Sequence, residues 1–475
     1  MTGAAVSAGP KPSVGTQLVS PRVEIPLSKW MPDMLDAALP MDGTLLAAQD
    51  PVTPADRRQI VWSSVIGTTI EWYDFLIYGT ASALVFNKLF FPSIDPVVGT
   101  IAAFGSYAVG FLARPLGGAV FGHFGDRVGR KAMLALTLMI MGIGTFLIGC
   151  LPTYGQIGIL APVLLVALRL VQGIGIGGEW GGAVLMVVES VPQERRGFFG
   201  SIVQLGYPIG VILSIGAFAL TGLLTEEAFL SWGWRVPFLA SAPLVLVGLF
   251  IRLRLHETPA FKAIKAKAAT ARLPVMEILT EHPGLFLKAV GLKVSEIAYV
   301  SVVTVFSISY VTGQLGLSRS VILNGILIAA VIELFTIPAF GWLSDRYGRK
   351  TLFVVACLFS IAFAFPMFQL LDTRNPTIIA LTVAVALSFG QGIMFGTGAA
   401  WMSEMFHARL RYSGASLGFQ VGAALSGGFT PLIAAALLTW SGGATWPIST
   451  YLIVLACVTL VATYLAPETA RRPID

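Results

Sequence analysis

Charge, cysteine and histidine are all scarce in this sequence. Of its 475 residues 12% are charged and 55% hydrophobic, with a mean hydropathy of +0.79. Soluble domains carry roughly 25% charged residues, so a water-soluble globular chain is excluded. Cys150, Cys357 and Cys457 stand alone in apolar stretches with no CxxC spacing, which leaves neither a disulfide framework nor a thiolate metal site. The four histidines have no ligand spacing and no nucleophile–base partners, so neither a metal site nor a membrane enzyme is expected. Short segments of alternating hydrophobicity are missing, which makes an outer-membrane barrel a poor alternative. No charged-then-apolar signal peptide opens the chain.

What remains is a series of apolar runs, each about the 20 residues that a helix needs to cross a bilayer core. The spans read as 60–82, 97–121, 132–151, 160–188, 198–223, 235–253, 285–311, 319–342, 351–371, 376–403, 412–438 and 446–465. Helices satisfy their own backbone in lipid, so the predicted fold is an all-α membrane protein of twelve transmembrane helices. The sequence divides into a cytoplasmic, disordered tail over 1–56, a six-helix bundle over 57–254, a basic loop over 255–283, a second bundle over 284–466, and a short C-terminus over 467–475. A start at Met31, Met34 or Met41 is a rival account of the tail.

The net charge of +6 is distributed by topology. With the N-terminus inside, the clusters at 57–58, 127–131, 195–196, 252–272, 346–350, 409–411 and 471–472 all fall in the cytoplasm. The other face receives Lys88, Arg235, Arg319 and Arg374. This asymmetry places both termini in the cytoplasm, and it leaves nothing for nucleic acid.

An internal repeat underlies the two bundles. Gly122-His-Phe-Gly-Asp126-Arg127-Val-Gly129-Arg130-Lys131 recurs as Gly341-Trp-Leu-Ser-Asp345-Arg346-Tyr-Gly348-Arg349-Lys350. Asp126 and Asp345 are 219 residues apart, Glu189 and Glu404 215, and Glu257 and Glu468 211. One duplicated six-helix unit explains the three offsets.

The paired G-x-x-x-D-R-x-G-R-[RK] loops resemble the signature of the major facilitator superfamily. The segments Glu71–Phe75, Arg114-Pro115-Leu-Gly117-Gly118, Arg169-Leu-Val-Gln172-Gly173, Gly177–Gly182 and Arg411–Gly414 are similar to its metabolite:proton symporter family, over about residues 57–470. That family includes carriers of α-ketoglutarate, shikimate and proline/betaine. The resemblance implies proton-driven uptake by alternating access, needing no cofactor beyond the proton gradient.

A charge at a helix centre costs ~2.5–3.5 kcal/mol, so each needs a reason. Glu71 and Asp74 lie three residues apart on one face of the first span, with Tyr78 a turn further. Close carboxylates in a poorly hydrated cavity resist joint ionisation, so Asp74, then Glu71, with Glu179 as a second candidate, are the expected proton carriers. Arg114 either holds a substrate carboxylate or forms a permanent ion pair with an acid of span one. Arg169 and Gln172 follow one stripe with Glu179, and in the resembling family this segment borders the cavity, which makes them substrate contacts. Lys293 and Glu296 either neutralise each other or leave Lys293 to pair with Glu333. With Glu333, Lys293, Tyr78 and Trp72 complete the substrate-binding set. Trp72, Tyr73, Trp180 and Trp401 are either aromatic walls or packing. The glycines of span four read as packing.

The signature loops govern conformation. Asp126 and Arg130 are expected to latch through Glu189, and Asp345 and Arg349 through Glu404, in one state only. The substrate expected is a small organic acid, with a proline/betaine-type zwitterion as the nearest alternative and a flux-free sensor as a more distant one. The partners are this substrate, protons and the lipid of the inner membrane, for a monomeric carrier.

Overall fold

Runs of apolar residues at membrane-spanning length produce the long helices of the computed structural model. It describes residues 54–92, 96–128, 130–254, 274–407, 410–470 and 472, excluding the side chains of 54–56, 96–97, 122–128, 130–132, 252–254 and 274. The expected tail, most of the 255–283 loop and the last residues lie outside the described set.

Twelve long helices follow in order among the described residues. They are α1 (Pro54–Ala81), α2 (Pro96–Val128), α3 (Arg130–Cys150), α4 (Leu160–Val188), α5 (Gln193–Thr221), α6 (Glu226–Ile251), α7 (Pro283–Gln314), α8 (Arg319–Tyr347), α9 (Arg349–Leu371), α10 (Pro376–Glu404), α11 (Arg411–Trp440) and α12 (Trp446–Leu465). All but α1 and α2 meet the length and hydropathy of a membrane span over their described residues. The spans read from sequence differ mainly at α6, which starts at Glu226 and not at 235, because Thr225 caps a turn through an Ala228 N–H and a π turn over Phe229–Gly233 carries the helix on. Part of the expected 255–283 loop is also helical, over Pro274–Glu281, and packs against α7 and α11.

The packing repeats itself. In the first six helices α1 lies on α5, α2 on α4 and α3 on α6; in the last six α7 lies on α11, α8 on α10 and α9 on α12. Between the sixes, α5 meets α8 and α2 meets α11. Small residues permit the closest approaches. A Cβ at Gly177 of α4 would collide with the Arg114 carbonyl of α2, and one at Gly341 of α8 with the Ser201 side chain of α5.

Exposed apolar residues such as Leu116, Ile143, Leu220, Phe335 and Val461 face outward from the helices. Without a hydrophobic driving force between helices in lipid, this surface needs no cover. Exposed Trp232, Trp440 and Trp446 stand at one end of α6, α11 and α12, with Trp342, Tyr347 and Tyr464 at the opposite helix ends, as interfacial aromatics do. Helix α7 contains two π turns, Val302–Phe306 and Tyr310–Gln314, and α10 and α11 one each. Such turns break the regular ladder and often mark functional segments.

Candidate functional site

The site is an aromatic cluster with two buried guanidiniums packed against its rings. On α2, Tyr107, Phe111 and Arg114 share one face by their spacing of four and three residues. Arg114 is buried, its guanidinium carbon 4.4 Å from the Phe75 ring centroid and 4.3 Å from that of Phe111. Arg169, also buried, lies 4.9 Å from the same Phe75 ring, 4.1 Å from that of Tyr78 and 5.5 Å from that of Tyr107. Phe75 thus stands against both guanidiniums.

The two acids of α1 divide between them. Glu71 is in the field of Arg114, while Asp74 is in that of Arg169 and Glu179. The shared microenvironment expected from their three-residue spacing becomes two neighbouring ones, because each carboxylate faces a different helix. Neither Asp74 oxygen has a hydrogen-bond partner among the described residues. Thr145 lies beside Asp74, but its hydroxyl donates to the Met141 carbonyl at 3.0 Å.

Arg169 Nη1 donates to Gln172 Oε1 at 3.4 Å, and Gln172 Nε2 donates to Thr145 Oγ1 at 2.7 Å. Arg169 Nε and Nη2 and Arg114 Nε have no hydrogen-bond partner among the described residues. Buried donors are normally satisfied, so their convergence marks a place for an acceptor. Tyr78 donates to Ser106 Oγ at 2.8 Å, fixing the ring under Arg169. A small enclosed cavity between Arg114, Trp72, Phe75 and Tyr107 is closed from the other side by Ser301 and Thr304 of α7.

The remaining expected contacts lie elsewhere. Lys293 donates to both oxygens of Glu296 at 2.9 Å, with both side chains wholly buried, so of the two alternatives the structure has the Lys293–Glu296 pair and not Lys293–Glu333. The reason is local: a neighbour one turn away reaches Lys293 before an acid on another helix does. Lys293 also faces the Phe419 ring at 5.0 Å and that of Trp180 at 5.6 Å. Glu333 is buried at the seam of α8 with α5 and α10. Of the four aromatics, Trp72 lines the cavity; Tyr73 donates to the Pro237 carbonyl at 2.5 Å and Trp401 to that of Pro467 at 2.9 Å, as packing residues. Trp180 stacks on Phe419 at 4.3 Å.

Phe75, Tyr107, Phe111 and Thr145 belong to the site although nothing singled them out individually. The α2 spacing relative to Arg114 was the available signal for Tyr107 and Phe111.

The signature-loop end is closed by polar contacts. Asp345 accepts from Gly197 N at 2.8 Å and Phe198 N at 2.9 Å, at the start of the helical turn of α5, and pairs with Arg349 at 2.8 Å. Arg349 grips Glu404 in a two-point fork, Nη2 to Oε1 at 3.1 Å and Nε to Oε2 at 3.2 Å. Glu189 pairs with Arg411 at 3.4 Å, and Tyr412 donates to the Gly178 carbonyl at 2.8 Å, both joining α4 to the start of α11. The side chains of Asp126 and Arg130 lie outside the described residues. At the other end a cavity of about 940 Å³ opens, its rim bearing Lys88, Glu226 and Arg319. Glu226 bridges Lys88 at 2.9 Å and Arg319 at 3.5 Å.

Twelve helices packed as a repeated six, with buried charges gathered on α1, α2 and α4, define a multi-pass membrane transporter and not an enzyme. The Major Facilitator Superfamily model matches residues 75–427, and the chain belongs to that superfamily, within its metabolite:proton symporter branch. The shikimate transporter of Escherichia coli (strain K12) is 42% identical over 437 residues, which is 91% of this chain and all of that protein. The inner membrane metabolite transport protein YhjE of the same organism is 40% identical, over 91% of this chain and 99% of its own. The proline/betaine transporter of Salmonella typhimurium is 37% identical, over 88% and 85%. Among solved structures, the proton:xylose symporter XylE bound to 6-bromo-6-deoxy-D-glucose superposes with a TM-score of 0.67 at 18% identity, over 87% of this chain and 96% of that one. That likeness is one of fold.

Proposed function

We propose that this chain is a proton-coupled importer of a small organic acid in the inner membrane, with both termini in the cytoplasm, working as a monomer. The observation that carries the reading is the pair of buried guanidiniums beside Phe75 with donors lacking an acceptor among the described residues, each next to a carboxylate of α1. An arginine fork suits a carboxylate ligand, and it stays charged at any working pH. Protonation of Asp74 removes the negative charge that competes for Arg169, which frees the guanidinium for the substrate anion. Arg114 shares that anion or returns to Glu71 when the site is empty.

The two bundles, 57–254 and 284–466, rock about this site. The latched signature end and the open cavity at the other end correspond to a state that faces outward. Release inward then requires the Asp345, Arg349–Glu404 and Glu189–Arg411 contacts to loosen.

A zwitterion carrier is the second reading. Trp72, Phe75, Tyr78 and Tyr107 offer ring faces that attract an ammonium, and one relative is a proline/betaine transporter. Proteoliposome uptake of shikimate, α-ketoglutarate, other mono- and dicarboxylates, proline and betaine, with and without an inward proton gradient, decides between them. Gradient-dependent accumulation of an acid supports the organic-acid reading. Accumulation of betaine alone replaces it with the zwitterion reading, and binding without flux refutes transport.

A further inference from the structure

A second set of buried polar groups lies across the seam of α5, α8 and α10, separate from the two arginines. Glu333 of α8 is wholly buried, and neither carboxyl oxygen has a hydrogen-bond partner among the described residues. Tyr207 of α5 is its titratable neighbour, equally buried, with a hydroxyl that also lacks a partner among them. On the α10 side a Cβ added at Gly392 would lie 3.8 Å from Glu333 Oε1. Trp72 and Phe395 pack edge-on against Tyr207, with ring centroids at 4.9 and 5.4 Å.

Among the described residues no cation is placed to hold an ionised Glu333. Besides Tyr207, α5 carries Glu194, Arg195 and Arg196, all in its first turn at the signature-loop end. The acid of α10 is Glu404, in its last turn, and it is held by Arg349. Helix α9 brings Arg349 and Lys350 in its first turn, and Cys357, whose titratable neighbour is Cys457. Tyr310 of α7 hydrogen-bonds Asp372, and Lys293 is committed to Glu296. Asp345 and Arg346, on α8 itself, lie about 18 Å further along the axis at 1.5 Å per residue. An unpaired carboxylate at such a place costs several kcal/mol, so the neutral acid is the stable form.

The seam is also where the two repeats touch. Near its signature-loop end Asp345 ties α8 to the Gly197 and Phe198 amides of α5.

We propose that Glu333 is a second proton-binding site, distinct from Asp74, which keeps its proton while α5 and α8 are closed and exchanges it with water when the seam opens. The proton bonds to a Glu333 carboxyl oxygen on arrival and returns to water on release; no other bond changes.

The test is infrared spectroscopy of the purified full-length chain in lipid nanodiscs, which reads the C=O stretch of protonated carboxyl groups without any substrate. Wild type is expected to show, at neutral pH, a high-frequency band that Glu333→Gln removes and Asp74→Asn keeps. Loss of the Asp74 assignment therefore leaves this result standing, and the reverse holds too. Should Glu333→Gln not fold, Glu333→Asp must shift the band. Asp345→Ala should make the band titrate with the bulk pH. Identical spectra for wild type and either Glu333 variant overturn the proposal, and a band that Asp345→Ala leaves unaltered overturns its link to the seam.

Discussion

Replacing Asp345 by alanine removes the two hydrogen bonds that its carboxylate accepts from Gly197 N and Phe198 N, at 2.8 and 2.9 Å. Both bonds run from α8 to α5, so they form only when the signature-loop end is closed. A hydrogen bond to a charged acceptor contributes roughly 1.5–3 kcal/mol, and the positive end of a helix adds to it. At the low end of that range, the pair is worth about 3 kcal/mol to the closed state. The substitution also removes the Arg349–Asp345 pair at 2.8 Å, but that contact lies within one repeat, and Arg349 keeps its fork on Glu404 and its bond to Ser344 Oγ, so the two bonds to α5 are the part of the loss that falls on the conformational equilibrium. At about 1.4 kcal/mol per tenfold, the closed-to-open ratio should fall roughly 100-fold. The assay uses Ala400→Cys in a chain whose native cysteines are replaced, because Ala400 is wholly buried opposite Gly200 across the α5–α10 contact. Maleimide labelling from the signature-loop side should accelerate in proportion until the open state predominates. An unchanged labelling rate in an Asp345→Ala protein of normal thermal stability would refute the latch.

Four further outcomes follow from the same geometry. Asp74→Asn should abolish gradient-driven accumulation in proteoliposomes while leaving substrate exchange; intact accumulation sinks the proton-carrier assignment. Lys293→Met leaves Glu296 buried without its cation and should cost about 3–5 kcal/mol, whereas Lys293→Met with Glu296→Met should be close to neutral, and thermal unfolding of the two variants compares them. Gly177→Ala drives a methyl into the Arg114 carbonyl and should cost about 1–3 kcal/mol, read as a lowered Tm; an unaltered Tm argues against close α2–α4 packing. Burial raises the pKa of Glu468, beyond α12, but N–H groups of Ala470, Lys350, Arg349 and Thr469 outweigh it and hold the carboxyl below the ordinary glutamate range. Its stabilisation is therefore complete above the unfolded-state pKa and lost as pH falls through the lower folded value. The Tm gap between wild type and Glu468→Gln should be widest near neutrality and close only in acid, and a gap independent of pH contradicts this.

Much of the architecture was legible because it is local. Span length follows from the run of apolar residues, and the repeat is visible in the spacing of Asp126 from Asp345. Buried charge is informative in a chain with so little of it, so Asp74, Arg114, Arg169 and Glu333 stood out before any helix was packed. The start of α6 was missed because the apolar run of that span begins at 235, whereas Thr225 caps an earlier helical turn, over Glu226–Ala228.

Partnership across helices was a different matter. Helical periodicity says which residues share a face of one helix, and nothing about which face of another helix it meets. The sequence by itself determined a twelve-helix carrier, its internal repeat and the short roll of residues that must justify their charge. Only the tertiary structure decided that Arg114 and Arg169 both pack against Phe75, that Glu71 and Asp74 answer to different arginines, and that Lys293 stays with Glu296. It also decided that Asp345 reaches the amides of α5, because crossing angles and close glycine contacts fix those neighbours at long range.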